Sequence, residues 1–295
     1  MAVATIIGGA GRMGSWFADF LSANGYRIII CDRENRLARG SANRKGFEFM
    51  TNEIAAAQLS QLVILTTPTH VTVPILKRIE PHISRRTLLV EISSVKEPIK
   101  RTIRGLAKRG FQILSIHPMF GPGPAKNLAG KAIIIAHQPR GSKAASNFLS
   151  LFRKRQANII PSNLEDHDQI VAATLALPHF MNFAFINTLK GTGLTPNQAR
   201  AIAGTTFRLQ LLVAEELYHE RLENEVSILA DNKYSTQLFK EFVKHTNTMR
   251  NTIHNRTRSN LIRNLREGAA YVRKDNLFST AYDRFTAAVE ASNSP

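Results

Sequence analysis

The stretch VATIIGGAGRMGSWFADFLSANGYRIIICD, residues 3–32, decides the fold. Val3–Ile7 is a short apolar run, long enough for a strand and too short for a buried helix. It breaks into Gly9-Ala10-Gly11-Arg12-Met13-Gly14. Residues 15–24 then follow helical period, and Gly25 stops them. Arg27–Cys31 is a second β-branched run, and it ends at Asp32. G-x-G-x-x-G alone is a weak signal. Between a strand and a helix, with an acid at the end of the next strand, it has the context its chemistry needs. Gly9 permits the tight turn, Gly11 lets the backbone approach a pyrophosphate, and Gly14 allows the helix to pack closely on the strand. The helix N-terminus offers N–H groups to phosphates. Ala10, Arg12 and Met13 complete the cofactor turn. Asp32 suits a ribose diol and favours NAD. Arg33 beside it could instead meet a 2′-phosphate, which keeps NADP open, or stack on adenine.

The same alternation continues outward. Residues 62–65, 87–92, 111–116, 131–136 and 157–160 read as strands, with helical segments at 73–83, 97–109 and 142–155. Continuous apolar strands separated by helices imply a doubly wound, mostly parallel sheet covered on both faces, a Rossmann-type α/β domain. In such sheets ligands bind beyond the carboxyl ends of the strands. Thr66, Thr67 and Pro68 sit at one such end, Ser93, Ser94 and Lys96 at another, and His117 at a third. After about Pro161 no strand-like run appears. Long helical stretches are predicted at 165–190, 196–222, 235–266 and 277–291. The expected organisation is a dinucleotide-binding domain over residues 1–161 and an all-α domain over 162–295.

Charge follows the same division. Residues 1–160 carry 24 Lys and Arg against 8 Asp and Glu, and residues 161–295 carry 15 against 14. A basic half implies an anionic partner. The basic clusters lack the interleaved aromatics of a nucleic-acid surface, so nucleic acid is not expected as a partner. One cysteine, Cys31, excludes a disulfide framework and a cysteine-based zinc site, and suits a reducing cytoplasm. No metal site is expected. Residues 170–189 contain no Asp, Glu, Lys or Arg, but Pro178, His179, Asn182 and Asn187 interrupt them. A buried or subunit-interface helix is expected there, not a membrane span.

Five elements taken together resemble the prephenate/arogenate dehydrogenase family of tyrosine biosynthesis. They are GGAGRMG near the N-terminus, Ser94-Val95-Lys96, His117-Pro118-Met119-Phe120-Gly121-Pro122, His167-Asp168-Gln169, and Leu177-Pro178-His179-Phe180. The resemblance covers about residues 5 to 215. It implies a Rossmann domain followed by a helical dimerisation domain, hence a homodimer through the latter. It implies NAD(P)-dependent oxidative decarboxylation of prephenate or arogenate, with His117 catalytic and Ser94 its partner at the substrate hydroxyl. His179 would line the substrate pocket, and His167 would support the helix or the domain contact. The family places a carboxylate-binding arginine eight residues beyond the one matching Arg208, and here that position is Glu216. Arg200, Arg208, Arg221 or Lys96 would have to substitute. The competing readings are a β-hydroxyacid or imine-type dehydrogenase, for which Lys190 is the only available lysine in residues 161–199, and an inactive NAD-binding homologue.

Overall fold

The computed structural model describes residues 1–33, 36–123, 127–219 and 222–292, without the side chains of residues 36–38. The chain divides into two compact units: residues 1–171 with 231–233, and residues 172–230 with 234–295.

The first unit is an eight-stranded sheet. Its strands are β1 (Val3–Ile7), β2 (Arg27–Cys31), β3 (Glu48–Met50), β4 (Leu62–Leu65), β5 (Leu88–Glu91), β6 (Gln112–Pro118), β7 (Ala132–His137) and β8 (Asn158–Pro161). They lie in the order β3-β2-β1-β4-β5-β6-β7-β8. The direction of winding reverses at β1, which has β2 on one side and β4 on the other. Six helices join the strands: α1 (Arg12–Ser22), α2 (Arg36–Arg44), α3 (Glu53–Gln58), α4 (Thr69–Ile79), α5 (Glu97–Lys108) and α6 (Lys143–Arg153). A seventh, α7 (His167–Val171), closes the unit.

Side chains alternate across a strand, and here both faces are buried. Ile6, Ile30, Ile64, Val90 and Leu114 point to one face and meet Phe17, Phe148 and Phe152 of α1 and α6. Ile7, Ile29, Val63, Leu89 and Ile113 point to the other and meet Ile75, Leu76, Ile99 and Ile103 of α4 and α5. On the first face Trp16 and Phe152 each stack with Phe20, with ring centroids 5.0 and 4.7 Å away, and lie 6.4 Å from each other.

Three features depart from the expected pattern. The edge strand β3, EFM, is too short and too polar to show periodicity, and its burial is partial. The short helices α2 and α3 were hidden for the same reason. β7 runs antiparallel to β6, and none of the described residues between them is helical, whereas a parallel neighbour is usually reached through a crossover helix. β6 also continues through His117 and Pro118, so His117 is a strand residue and not the first residue of the loop.

The second unit is helical: α8 (Leu177–Gly191), α9 (Pro196–Ile202), α10 (Thr205–Glu216), α11 (Leu222–Val226), α12 (Ser235–His254), α13 (Arg258–Val272) and α14 (Ala281–Ser292). The long helices predicted for 196–222 and 235–266 are each broken. Gly204 caps α10 in an extended conformation after α9 ends. Arg256 takes a left-handed φ of 54° between α12 and α13. A π-turn at Ala172–Ala176 leads into α8. Pro178 lacks an N–H and would crowd the carbonyl four residues back, so the helix widens there.

Candidate active site

The candidate cofactor cradle is set by backbone contacts at the winding reversal. Gly8 has a φ of +82°, and its N–H donates to Cys31 O at 2.8 Å, which ties the turn after β1 to the end of β2. A Cβ on Gly14 would lie 2.4 Å from Gly8 O and 2.8 Å from Thr66 Oγ1. Only glycine lets α1 start this close to the strand ends. The Thr66 hydroxyl donates to Ile7 O at 3.0 Å, and the Thr67 hydroxyl bonds that of Thr72 at 2.8 Å. Pro68 precedes the first turn of α4. At the end of β2 the Asp32 carboxylate accepts from Ala10 N–H at 2.9 Å and Arg33 N–H at 2.8 Å. The N-cap of α1 is Gly11, and no side chain caps that end. A bare helix start, a turn whose closest approaches are made by glycines and an acid at the next strand end fit a dinucleotide's pyrophosphate and ribose. Gly14→Ala is expected to lower the urea midpoint and weaken NAD binding at least tenfold, because Gly8 O and Gly9 Cα are backbone and cannot swing aside. An unchanged midpoint and affinity would show that the turn is loose.

β5 and β6 are neighbours with Glu91 opposite Ser115, so the segment from Ser93 to Lys96 and the strand end at His117 emerge side by side. His117 is 4% exposed, and its Nδ1 lies 3.1 Å from His167 Nε2. His167 Nδ1 lies 2.7 Å from Asp168 Oδ1. The Asp168 carboxylate also accepts the N–H of Lys96 at 2.8 Å and of Glu97 at 2.7 Å, at the start of α5. Asn232 Nδ2 donates to Asp168 O at 2.7 Å. Behind this row lies a buried ion pair. Lys96 Nζ donates to Glu91 Oε1 at 2.7 Å and to Ile116 O at 2.9 Å, and both side chains are fully buried. The Ser115 hydroxyl also donates to Glu91, and Ser93 N–H donates to Glu91 Oε2 at 2.9 Å.

These surroundings set the protonation states. Burial pushes His117 well below the ordinary histidine range, and the His167 ring and Lys96 ammonium push the same way. Burial likewise lowers His167, against the opposing pull of Asp168. Burial would raise Asp168, but hydrogen bonds from His167 and the two amides outweigh it and hold the carboxyl below its usual range. Both imidazoles are neutral and Asp168 is ionised. The unfolded chain takes up protons that the two folded histidines refuse, so stability falls as pH drops below the ordinary histidine pKa. Asp168 adds a further loss below the ordinary aspartate pKa, with the same sign. Urea midpoints are expected to fall between about pH 7.5 and 5.5. A flat profile would mean the histidines are protonated in place.

Lys96, offered above as a substrate cation, is 0% exposed, and its ammonium is held by Glu91. The ring of His167, expected to support the helix or the domain contact, reaches His117. Ser94 is half-buried beside them.

Residues 17–160 match the family described as prephenate dehydrogenase, nucleotide-binding domain, and residues 163–267 match prephenate dehydrogenase, dimerization domain.

The chain belongs to the prephenate dehydrogenase family.

The glycine turn precedes the matched segment, so its reading rests on the geometry above. A probable arogenate/prephenate dehydrogenase of Methanocaldococcus jannaschii is 25% identical over 90% of this chain and 60% of its own length. A T-protein of Haemophilus influenzae is 27% identical over 77% of this chain and 55% of its own. The chain thus spans little more than half the length of these relatives. The fold is that of prephenate dehydrogenase from A. aeolicus, solved in complex with hydroxyphenyl propionate and NAD+. Its TM-score is 0.73 at 21% identity, covering 93% of this chain and 98% of that one.

The family's second domain carries the remaining candidates. His179 on α8 pairs through Nδ1 with Glu225 Oε2 at 2.5 Å, and both side chains are largely buried. Arg208 on α10 is exposed and lines a cavity of about 380 Å³ with Asn197, Arg200 and Leu212. Arg200 Nη2 is engaged by Glu215 at 2.7 and 2.8 Å. Glu216 is exposed on the last turn of α10, Lys190 is exposed near the end of α8, and Arg221 lies outside the described residues. Sequence reasoning missed Glu91, Ser115 and Glu225. The first two had a signal: a lone acid and a lone hydroxyl inside apolar strands. Glu225 had none, because nothing local distinguishes it from Glu223, the other acid of α11.

Proposed function

We propose that the protein is an NAD-dependent dehydrogenase that oxidatively decarboxylates a cyclohexadienol acid, prephenate or arogenate, to the corresponding phenol, within tyrosine biosynthesis. The observation that carries this is the buried neutral His117 at a strand end of the cofactor-binding sheet, in a chain of this family. NADP remains the alternative cofactor, since Arg33 follows Asp32 directly. When bound, the dinucleotide accepts hydride from the ring carbon that bears the hydroxyl.

The rest is done by this chain's groups. His117 Nε2 accepts the hydroxyl hydrogen bond and takes the proton as that carbon becomes carbonyl-like. Loss of the ring carboxylate as carbon dioxide then returns electrons to the ring. The new phenolic oxygen recovers its proton from His117. Aromatisation makes the step effectively irreversible. Ser94 orients the hydroxyl. His179, held by Glu225, and Arg208, with its exposed guanidinium, are proposed as substrate-side groups, Arg208 for a carboxylate. The dinucleotide turn itself contacts the cofactor through Gly9 to Gly14, with Thr66, Thr67, Pro68 and Ser93 along the rim.

The test supplies both substrates with both cofactors and follows reduced nicotinamide and carbon dioxide together. Equal amounts of the two are expected. No turnover with any pair, despite measurable NAD binding, would overturn the reading. Because His117 is held neutral, the acidic limb of kcat/KM is expected below the ordinary histidine range. Arg208→Ala is expected to raise the substrate KM about tenfold, with a smaller change in kcat. An unchanged KM would move the carboxylate contact elsewhere.

The helical domain is proposed to form a homodimer. Leu212, Val213, Val226, Ile253, Leu265 and Tyr271 are 45% or more exposed, apolar surface that a partner subunit would cover. The helix from His167 to Gly191 is long and apolar enough to cross a membrane by length and composition, and little of its apolar stretch is buried. A subunit interface covers such a face as well as a bilayer does, and the matched domain is described as a dimerization domain. The single, buried Cys31 suits the cytoplasm.

A further inference from the structure

We infer that Asp168 and His167 are positioning residues that fix the tautomer of His117, so that its Nε2 is bare and faces the substrate hydroxyl. The inference rests on the reading of His117 as the base.

It follows from counting protons along a row of short contacts. Asp168 accepts two backbone N–H groups, from Lys96 and Glu97, which leaves it a pure acceptor. His167 Nδ1, 2.7 Å away, must therefore carry the hydrogen between them. A neutral imidazole has only one N–H, so His167 Nε2 is then bare and accepts. His117 Nδ1, 3.1 Å away, must donate to it. That places the only N–H of His117 on Nδ1. Its Nε2 bonds no described residue and holds the free lone pair. This arrangement is the reverse of the tautomer preferred by an isolated imidazole in water.

The competing arrangement needs a cationic His167 that donates from both nitrogens. His167 is fully buried, and the Lys96 ammonium lies in the same network. A second cation there is disfavoured by burial and by like charge. When His117 takes the hydroxyl proton, the imidazolium keeps its Nδ1–H bond to His167 and is stabilised by the Asp168 carboxylate beyond it, and no proton passes along the row before His117 returns its own to the phenolic oxygen. Three buried side chains thus act as one unit, with Asp168 anchored to the start of α5 and so to the segment that carries Ser94.

The His167→Phe variant gives a sharp test. Phenylalanine keeps a ring at the buried site but offers His117 Nδ1 no acceptor, so nothing holds the hydrogen of His117 on Nδ1. The full chain, saturated with NAD and labelled with ¹⁵N at its nine histidines, would be examined by ring-nitrogen NMR, with His117→Asn identifying the His117 signals. The wild type is expected to show a protonated Nδ1 and a bare Nε2 on His117. His167→Phe is expected to move the hydrogen to Nε2 and to lower kcat about 100-fold or more, with NAD affinity unchanged. A bare Nδ1 and protonated Nε2 on His117 in the wild type would overturn the inference. So would a His167→Phe variant that keeps both tautomer and kcat. If that variant does not fold, the wild-type spectrum alone decides. A wild type with the expected tautomer but no turnover of either substrate would remove the substrate reading and leave the tautomer assignment standing.

Discussion

Replacing His117 with asparagine is expected to lower kcat by roughly 10²–10⁴-fold while leaving NAD affinity within a few-fold of wild type. The magnitude is that of losing a positioned proton acceptor. Asparagine keeps polarity and approximate size at a site that is 4% exposed, so it does not open a large cavity. Its amide cannot take a proton near neutral pH, whichever way it points. The proposed cradle for the dinucleotide lies at the ends of β1, β2 and β4, which are neighbours in the sheet, so cofactor binding should survive. Equilibrium titration with NAD and steady-state rates with prephenate and arogenate separate the two effects. A variant retaining wild-type kcat would show that the base is another group. Loss of NAD binding together with turnover would instead mark His117 as structural.

Lys96→Met is expected to destabilise the sheet unit by roughly 3–5 kcal/mol, the cost of breaking one partner from a fully buried ion pair. Glu91 would keep its bonds from Ser115 and the Ser93 amide but lose its counter-charge. Ile116 O would lose a donor as well. The orphaned carboxyl can escape by binding a proton. The loss should therefore be larger at about pH 8 than at about pH 6, since an acid whose folded pKa is raised loses stability as pH rises. The double variant Glu91→Gln/Lys96→Met should recover most of the deficit, because a neutral amide needs no counter-charge. Urea unfolding of the three proteins measures this. A loss below about 1 kcal/mol in Lys96→Met would mean that water reaches Glu91 in the folded state. The side chain that reads from sequence as a cation for the substrate is in this structure a stability element of the sheet.

The fold was legible because its signals are local. The strands β1, β2 and β4 carry uninterrupted Ile, Leu and Val between turn formers, and their limits in the structure are those the sequence indicates. The glycine turn announces itself through spacing and through what flanks it. The edge strand β3 and the antiparallel β7 were not legible. An edge strand has little to bury, and direction depends on which neighbour is close, not on composition. The helix breaks near Gly204 and Arg256 were equally hidden, since apolar periodicity continues across both. His117 and Ser94 were visible as polar residues at strand ends and through the family's motifs. Their environment was not. His167 and Asp168 stand fifty and more positions from His117, and no periodicity joins them.

The sequence by itself determined the winding of the first domain, the cofactor turn, the change to helices after Pro161 and the family. Each of these rests on residues close together in the chain. Only the tertiary structure decided which charges are spent inside. It took Lys96 out of solvent and set it against Glu91, and it brought Asp168 and His167 up to His117. The physical reason is that protonation and hydrogen-bond direction depend on burial and on partners a few ångströms away in space. Those partners are delivered by the crossing of strands and helices, and the chain's linear order does not record them.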